Sequence, residues 1–136
     1  MPFLFQKHLL KMENGSNSSQ GKNKELNFFE STVTSFLSKF DNNFRIFSLN
    51  INSIDKKFED ILFLLNGQLD ILVLNESKLN SKHDESLFEH PCYDLHRLDR
   101  LINNSGGVMV YVKKNLKSSR VMFDDNSEII SFVIDI

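Results

Sequence analysis

Two polar signatures stand at the ends of apolar segments, and their residue types are suited to holding a divalent cation against a phosphate. Asn50 and Asn52 come just after Leu49, and Glu76 comes two positions after the apolar run 71–74. Carboxylate and carboxamide oxygens are ligands that Mg²⁺ accepts in proteins, and a bound Mg²⁺ polarises a phosphodiester. Asn50, Asn52 and Glu76 are therefore the candidate metal ligands of this chain.

Each of these residues also has an ordinary structural interpretation. The carboxylate of Glu76 lies at the edge of an apolar segment, where an unpaired charge is costly, so a salt bridge could neutralise it in place of a metal ion. The candidate partners for such a salt bridge are Lys78, Arg97 and Arg100. Asparagine is common where a strand turns into a helix, because its side chain bonds nearby backbone groups. Both interpretations stay open, and the combination of the three residues favours the metal site.

Hydrophobic periodicity predicts the elements that position these residues. Residues 44–52 alternate as a strand with an irregularity near Ser48, and the run 71–74 is typical of a strand covered on both faces. Between them, Ser53 can cap a helix that ends near Gly67. The apolar stripe of that helix consists of Ile54, Phe58, Ile61, Leu62 and Leu65. A helix beginning at Ser53 would also direct free N–H groups toward a phosphate at the same place.

A hairpin and a last strand are predicted in the second half of the chain. Residues 93–97 alternate weakly, residues 101–107 form a turn rich in Asn, Ser and Gly, and residues 108–112 are strongly β-prone. The last strand is expected over residues 127–136, where apolar and polar residues alternate. Since the alternation is still running at Ile136, we expect a truncated domain.

The N-terminal residues have a different composition from the rest. Residues 1–23 are predicted to be a disordered extension, because a stretch rich in Asn, Ser, Gly, Gln and Lys cannot offset the entropy of ordering. Residues 24–43 are predicted to form an amphipathic helix, whose apolar face either docks on its own domain or serves a partner or a membrane surface. The apolar residues of the segment 1–12 are interrupted well short of a secretory or membrane-spanning length.

Composition narrows the functional classes. The chain has 136 residues, a net charge of −2 and a single cysteine, so we expect one domain at most, with no internal disulfide and no cysteine cluster for a metal. A chain that is not basic overall contacts nucleic acid only through local charge. No membrane is expected as a partner. The location is left unknown, and the single cysteine is compatible with an intracellular, reducing compartment.

Four strings, in one order and at fixed separations, resemble a known superfamily. They are LNINSIDKKFEDILFLL, LDILVLNESKLN, YDLHRLDR and GGVMVYVKKNL. They are similar to the first half of the endonuclease/exonuclease/phosphatase (deoxyribonuclease I-like) superfamily, in the branch of apurinic-type endonuclease domains of non-LTR retrotransposon polyproteins. The resemblance covers residues 44–136 and implies an α/β (α+β) fold class: a partial four-layer α/β sandwich, a mixed sheet with flanking helices.

The same resemblance implies a function, which is Mg²⁺-dependent hydrolysis of DNA phosphodiesters in a protein with a linked reverse transcriptase. Asn50 matches the asparagine of the family's first motif, and Glu76 matches its metal-binding glutamate, so these two are the expected catalytic residues. Asn52 matches a position where retrotransposon enzymes often have asparagine. Arg97 and Arg100 could contact the phosphates of DNA or pair with Asp99. DNA is the implied partner of the complete protein, and the nucleus its implied location, whereas the oligomeric state is left open.

The family's later catalytic motifs are missing from residues 1–136. Neither a G-D-x-N strand end nor an S-D-H string is present, and we interpret Asp124-Asp125-Asn126 as a turn and His83-Asp84 as a loop pair. Losing general-base assistance costs on the order of 10² to 10⁴ in rate, so we expect this chain to be inactive alone. The alternatives are a non-catalytic interaction module built on half of the fold, and a phosphatase of the same superfamily.

Overall fold

A computed structural model describes residues 3–8, 19–99, 105–124 and 129–134. The strands of these ranges are β1 (Phe3–His8), β2 (Phe44–Asn50), β3 (Ile71–Asn75), β4 (Tyr93–Leu98), β5 (Val108–Lys113), β6 (Ser118–Asp124) and β7 (Ile129–Ile134). The α-helices are α1 (Ser19–Ser38) and α2 (Phe58–Ile61), and short 3-10 helices span Leu62–Leu65, Glu85–Phe88 and Lys114–Leu116.

The strands form one mixed sheet of five strands and one hairpin. The sheet has the order β1-β2-β3-β5-β4, in which β1, β2 and β3 are parallel and β5 is antiparallel to both β3 and β4. The hairpin pairs β6 with β7. This arrangement makes the chain a mixed α/β protein with an open sheet and few helices, as the sequence predicts at that level of detail.

The main core lies between the helices and one face of the sheet. Phe29, Val33 and Leu37 of α1 are buried in it together with side chains of β2, β3 and β5. All five residues of the predicted apolar stripe between β2 and β3 belong to this core, either buried or packed against it. Because these side chains are buried in the core, α1 docks on its own domain. Burying each large apolar side chain contributes about 1.5–3 kcal/mol.

The opposite face of the sheet is apolar at one end and polar at the other. Ile71, Val110 and Val112 are buried there, and partly buried apolar residues surround them. Toward the carboxyl ends of β2 and β3 the same face carries Ser48 and Asn75, whose side chains are hydrogen-bonded at 3.1 Å. The polar end is where the candidate site lies.

Two features that the sequence predicts for β2 and the segment after it differ from the structure. α2 begins at Phe58 rather than at Ser53, because Ser53 has a φ of +78°, outside the conformation of a helix cap. The expected irregularity near Ser48 is also wrong, since the pairing of β2 with β3 is continuous from Ile46 to Asn50. Both predictions failed because local residue types do not show backbone pairing.

The N-terminal residues are more ordered than their composition indicates. Phe3–His8 forms β1 within the expected disordered extension, since its backbone pairs in parallel with β2. α1 begins at Ser19 and ends at Ser38, whereas residues 24–43 were the predicted helix. The expected disorder of residues 9–18 falls outside the described residues.

The second half agrees more closely with its predicted elements. The arms of the predicted hairpin are β4 and β5, which pair in antiparallel fashion. β7 occupies the centre of the predicted last strand, and β6 is a strand that the sequence analysis did not identify. Within the described ranges, no helix combines the length and the apolar character that crossing a membrane requires.

Tyr111 provides a test of the core. Its ring is fully buried, and its hydroxyl donates a hydrogen bond to the carbonyl oxygen of Phe88 at 2.7 Å. Tyr111→Phe leaves that buried carbonyl without its donor, so we expect the free energy of unfolding to fall by about 1–3 kcal/mol at pH 7. Urea unfolding followed by circular dichroism measures this loss, and a change of less than about 0.5 kcal/mol would contradict it.

The burial of Tyr111 also predicts that the stability of the fold depends on pH. Burial raises the pKa of Tyr111 above its usual value of 10.0, so the folded chain holds a proton that the unfolded chain loses. Stability should therefore fall as the pH rises above about 10, because the folded state binds more protons there. Tyr111→Phe has no proton to lose, and its stability should fall less between pH 9 and pH 11.

Candidate metal site at the strand ends

The carboxyl ends of β2 and β3 lie side by side, which brings the two polar signatures together. Asn50 is the register partner of Asn75, and the N–H of Ile51 continues the pairing by donating to the carbonyl of Asn75 at 2.9 Å. Beyond the strands, the N–H of Ser53 donates to the carbonyl of Glu76 at 2.8 Å. Asn50 and Glu76 are thus held at the same end of the sheet, as a shared metal site requires.

The hydrogen bonds that join the two loops also remove the expected anion site. The N–H groups of Ser53 and Ile54 donate to the carbonyls of Glu76 and Ser77, at 2.8 and 3.1 Å. They are not free to meet a phosphate, and the short helix α2 starts four residues later. The predicted phosphate site at a helix beginning with Ser53 is therefore wrong.

Left-handed backbone conformations concentrate in the two loops that follow β2 and β3. Non-glycine residues with positive φ in the described ranges are Asn52, Ser53, Glu76, Lys78 and Lys117, of which the first four lie in the two loops. Such conformations cost about 1–3 kcal/mol each and persist where the surroundings enforce them, which is common at functional sites. The strained residues therefore favour a functional site at the ends of β2 and β3.

Glu76 has one carboxylate oxygen that is bonded and one that is open. Its Oε2 accepts a hydrogen bond from the N–H of Gly106 at 3.0 Å. Among the described residues, Oε1 has no hydrogen-bond partner, and no salt bridge to Glu76 is formed. Of the three candidate salt bridges to Glu76, those to Lys78 and Arg97 are thus absent, and Arg100 lies outside the described residues. Within those residues, Oε1 is available to a cation.

The two asparagines differ in what they can offer a metal. Asn50 is half-buried, and its Oδ1 accepts the N–H of Asn52 at 3.1 Å, which leaves a second lone pair on that oxygen. Asn52 is exposed, and its Oδ1 accepts a hydrogen bond from the ammonium group of Lys78. A metal ion at Asn52 would have to displace that ammonium, so Asn50 is the better partner for Glu76.

Positive charge accompanies the site. The ammonium group of Lys57 donates to the carbonyls of Ile51 and Asn52, both at 2.8 Å. Burial lowers the pKa of Lys57, and the nearby charge of Lys78 lowers it further. Lys57 is not among the site residues that the sequence predicts, because its contact depends on the turn at residues 52–57 and not on any pattern of residue types.

Arg97 pairs with Asp99, the second of the two partners considered for it. Its guanidinium group pairs with the carboxylate of Asp99 through two hydrogen bonds of 2.6 Å, and it also donates to the carbonyls of Asn80 and His83. The Arg97 side chain is only 7% exposed, so it is committed to these partners rather than turned toward a DNA phosphate. Arg100 lies outside the described residues.

The donor set fits one kind of metal better than others. In the parts of the chain that the structure describes, no three side chains of His, Cys, Asp or Glu come together as a metal site. Zn²⁺ usually needs such a set, whereas Mg²⁺ keeps several waters and is often held by one or two carboxylates. One carboxylate from Glu76 and one carboxamide from Asn50 are therefore compatible with Mg²⁺.

Comparisons of this chain with protein-family models, with curated proteins and with solved structures give no match.

Proposed function

We propose that Asn50 and Glu76 are the Mg²⁺-holding part of a DNA endonuclease of the endonuclease/exonuclease/phosphatase superfamily, similar to those of non-LTR retrotransposons with a linked reverse transcriptase. The observation that carries the proposal is that Oε1 of Glu76 has no partner among the described residues, while Glu76 directly follows Asn75, the register partner of Asn50, at the carboxyl ends of two adjacent parallel strands. The four sequence strings that resemble this superfamily lie on β2, β3, β4 and β5 and on the segments next to them. The partial four-layer sandwich belongs to the same proposal.

Each residue has a separate role in this mechanism. When bound, Mg²⁺ would offset the charge on the scissile phosphate and on the leaving oxygen. Glu76 would hold it through Oε1 while Gly106 fixes the other carboxylate oxygen, and Asn50 would add a carboxamide oxygen. Lys57 and Lys78 place positive charge beside the site, which favours a phosphate there. Because the family's later motifs are missing from residues 1–136, we expect this chain alone to bind metal without hydrolysing DNA.

A non-catalytic interaction module is the second candidate, and the second face of the sheet favours it. Phe44, Ile46, Val73 and Val108 remain only partly buried around the small core of that face. An apolar face of this kind can receive another packed layer or a partner. A phosphatase of the same superfamily would use the same metal ligands on a different phosphate.

Metal binding by the whole chain tests the proposal. Mn²⁺ replaces Mg²⁺ at oxygen sites and broadens nearby NMR signals, so the amide signals of Asn50, Glu76 and Gly106 should broaden first. Glu76→Gln removes the charge and should weaken Mn²⁺ binding by at least about tenfold. Glu59→Gln, which changes an exposed carboxylate of α2, is the matched control and should leave the affinity unchanged. Equal affinity in wild type and Glu76→Gln would refute the proposed site.

DNA cleavage separates the catalytic and non-catalytic alternatives. Supercoiled plasmid incubated with Mg²⁺ and residues 1–136 should stay intact with both the wild type and Glu76→Ala. Nicking by the wild type alone would show that the chain is catalytically complete and would overturn its expected inactivity. Release of phosphate from small phosphomonoesters, without nicking, would favour the phosphatase.

A further inference from the structure

The glycine turn at residues 106 and 107 is joined to the Glu76 loop by three hydrogen bonds. The N–H of Gly106 donates to Oε2 of Glu76 at 3.0 Å, and the carbonyl of Gly106 accepts the N–H of Lys78 at 2.9 Å. The carbonyl of Gly107 accepts the N–H of Ser77 at 3.2 Å. The turn therefore holds both the backbone that follows Glu76 and the Glu76 carboxylate.

Ser77 packs directly on this turn. The side chain is fully buried, and among the described residues its hydroxyl has no hydrogen-bond partner. A Cβ placed on Gly107 would lie 2.5 Å from that hydroxyl oxygen, whereas the next contacts, at 3.5 and 3.6 Å, are ordinary ones. The Ser77 hydroxyl thus fills the space that a side chain at position 107 would need.

Ser77 also joins the turn to the loop after β2. Its carbonyl accepts the N–H of Ile54 at 3.1 Å, while its own N–H donates to Gly107. Ser77 is consequently bonded on one side to the loop that follows Asn50 and on the other to the turn that holds Glu76. A shift at Ser77 would change both halves of the candidate site.

We infer that Gly107 is a positioning residue of the metal site: it leaves room for the buried Ser77 hydroxyl, so that the turn lies close enough for the N–H of Gly106 to stay on the Glu76 carboxylate. The inference rests on the function proposed above. Because Oε2 is held by the hydrogen bond, Oε1 has a fixed orientation. The carboxylate is then already ordered when it binds a cation, so binding costs less rotational entropy. With a side chain at position 107, the Ser77 hydroxyl and the turn have to move apart, and we expect the hydrogen bond from Gly106 to be lost.

The test compares two glycine variants of the full chain. Gly107→Ala should weaken Mn²⁺ binding by about 10- to 100-fold, the range typical of a lost partner to a metal ligand. Gly67→Ala is the matched control, because Gly67 has a similar positive φ, +91° against +85°, but nothing within 4 Å of an added Cβ. Its Mn²⁺ affinity should equal that of the wild type.

A second substitution distinguishes positioning from general loss of structure. Ser77→Ala combined with Gly107→Ala removes the oxygen that the new Cβ would meet and leaves only the ordinary contacts. This double variant should recover most of the Mn²⁺ affinity that Gly107→Ala loses. Failure to recover, in a double variant that remains folded by circular dichroism, would overturn the role of Ser77.

The outcomes separate this inference from the proposed function. If the wild type binds Mn²⁺ and Glu76→Gln does not, while Gly107→Ala binds as well as Gly67→Ala, the positioning role fails and the metal site stands. If the wild type itself does not bind Mn²⁺, the proposed function fails, and the positioning role fails with it.

A measurement on a conservative variant covers the case in which Gly107→Ala does not fold. Glu76→Gln keeps an acceptor oxygen but removes its charge, so the Gly106 N–H proton signal should shift upfield and its hydrogen exchange should quicken. The amide of Gly67, whose N–H donates to the hydroxyl of Tyr93, is the internal control and should not change. An unchanged Gly106 signal would show that its N–H does not hold Glu76.

Discussion

Arg97→Ala is expected to lower the free energy of unfolding by about 3–5 kcal/mol, because it removes the buried guanidinium group from an ion pair and from two backbone carbonyls. The substitution leaves the Asp99 carboxylate, 18% exposed, without its guanidinium partner. It also leaves the carbonyls of Asn80 and His83 without the donors that lie 2.6 and 2.9 Å away. Urea unfolding followed by circular dichroism measures the loss, since the chain contains no tryptophan for fluorescence.

Two further variants show whether the geometry of Arg97 matters. Arg97→Lys keeps the charge but cannot match four planar hydrogen bonds, so it should recover only part of the stability. Asp41→Asn breaks the ion pair with Arg45 at 3.4 Å, in which the Asp41 side chain is 71% exposed, and should cost less than about 1 kcal/mol. A loss from Arg97→Ala as small as that of Asp41→Asn would contradict the structural role.

Gly107→Ala should be the second largest change in stability, about 2–5 kcal/mol. A left-handed conformation costs a residue with a Cβ about 1–2 kcal/mol, and forcing an extra methyl group against the Ser77 hydroxyl adds about 1–3 kcal/mol. Gly67→Ala has the first cost without the second, so about 1–2 kcal/mol is expected there. The difference between the two urea unfolding free energies isolates the contact with Ser77.

Ser77→Ala provides the check on this prediction. By itself it removes a buried hydroxyl that has no partner among the described residues, so its effect on stability should be small or favourable. In the Gly107→Ala background it should restore about 1–3 kcal/mol, because the crowded oxygen is gone. Additive effects of the two substitutions would mean that the residues do not touch in solution.

The sequence predicts the position of the candidate site better than its geometry. Asn50 and Glu76 follow apolar strands, and carboxyl ends of neighbouring parallel strands meet at one edge, so residue order is enough to bring them together. The apolar stripe from Ile54 to Leu65 likewise predicts which side of its segment packs into the core. These features depend on local periodicity, which the residue types record directly.

Other features depend on contacts that are distant in sequence. The N–H of Gly106 reaches Glu76 across 30 positions, and no residue pattern around either one indicates that bond. Ser53 has a positive φ and its N–H bonds to the Glu76 loop, so it does not form the helix cap that Ser53 suggests in isolation. β1 is stabilised by pairing with β2, from which α1 and its flanking segments separate it in sequence. The backbone pairing of loops and edge strands is therefore what the sequence pattern could not predict.

The position of β1 at the edge of the sheet has a practical consequence for shortened versions of the protein. β1 covers the outer edge of β2, whose carboxyl end carries Asn50. A version that starts after His8 would leave a long, apolar parallel strand with unpaired N–H and carbonyl groups, and such an edge recruits strands from other molecules. Self-association of that version would result from the lost neighbour of β2 rather than from an interaction of the intact protein.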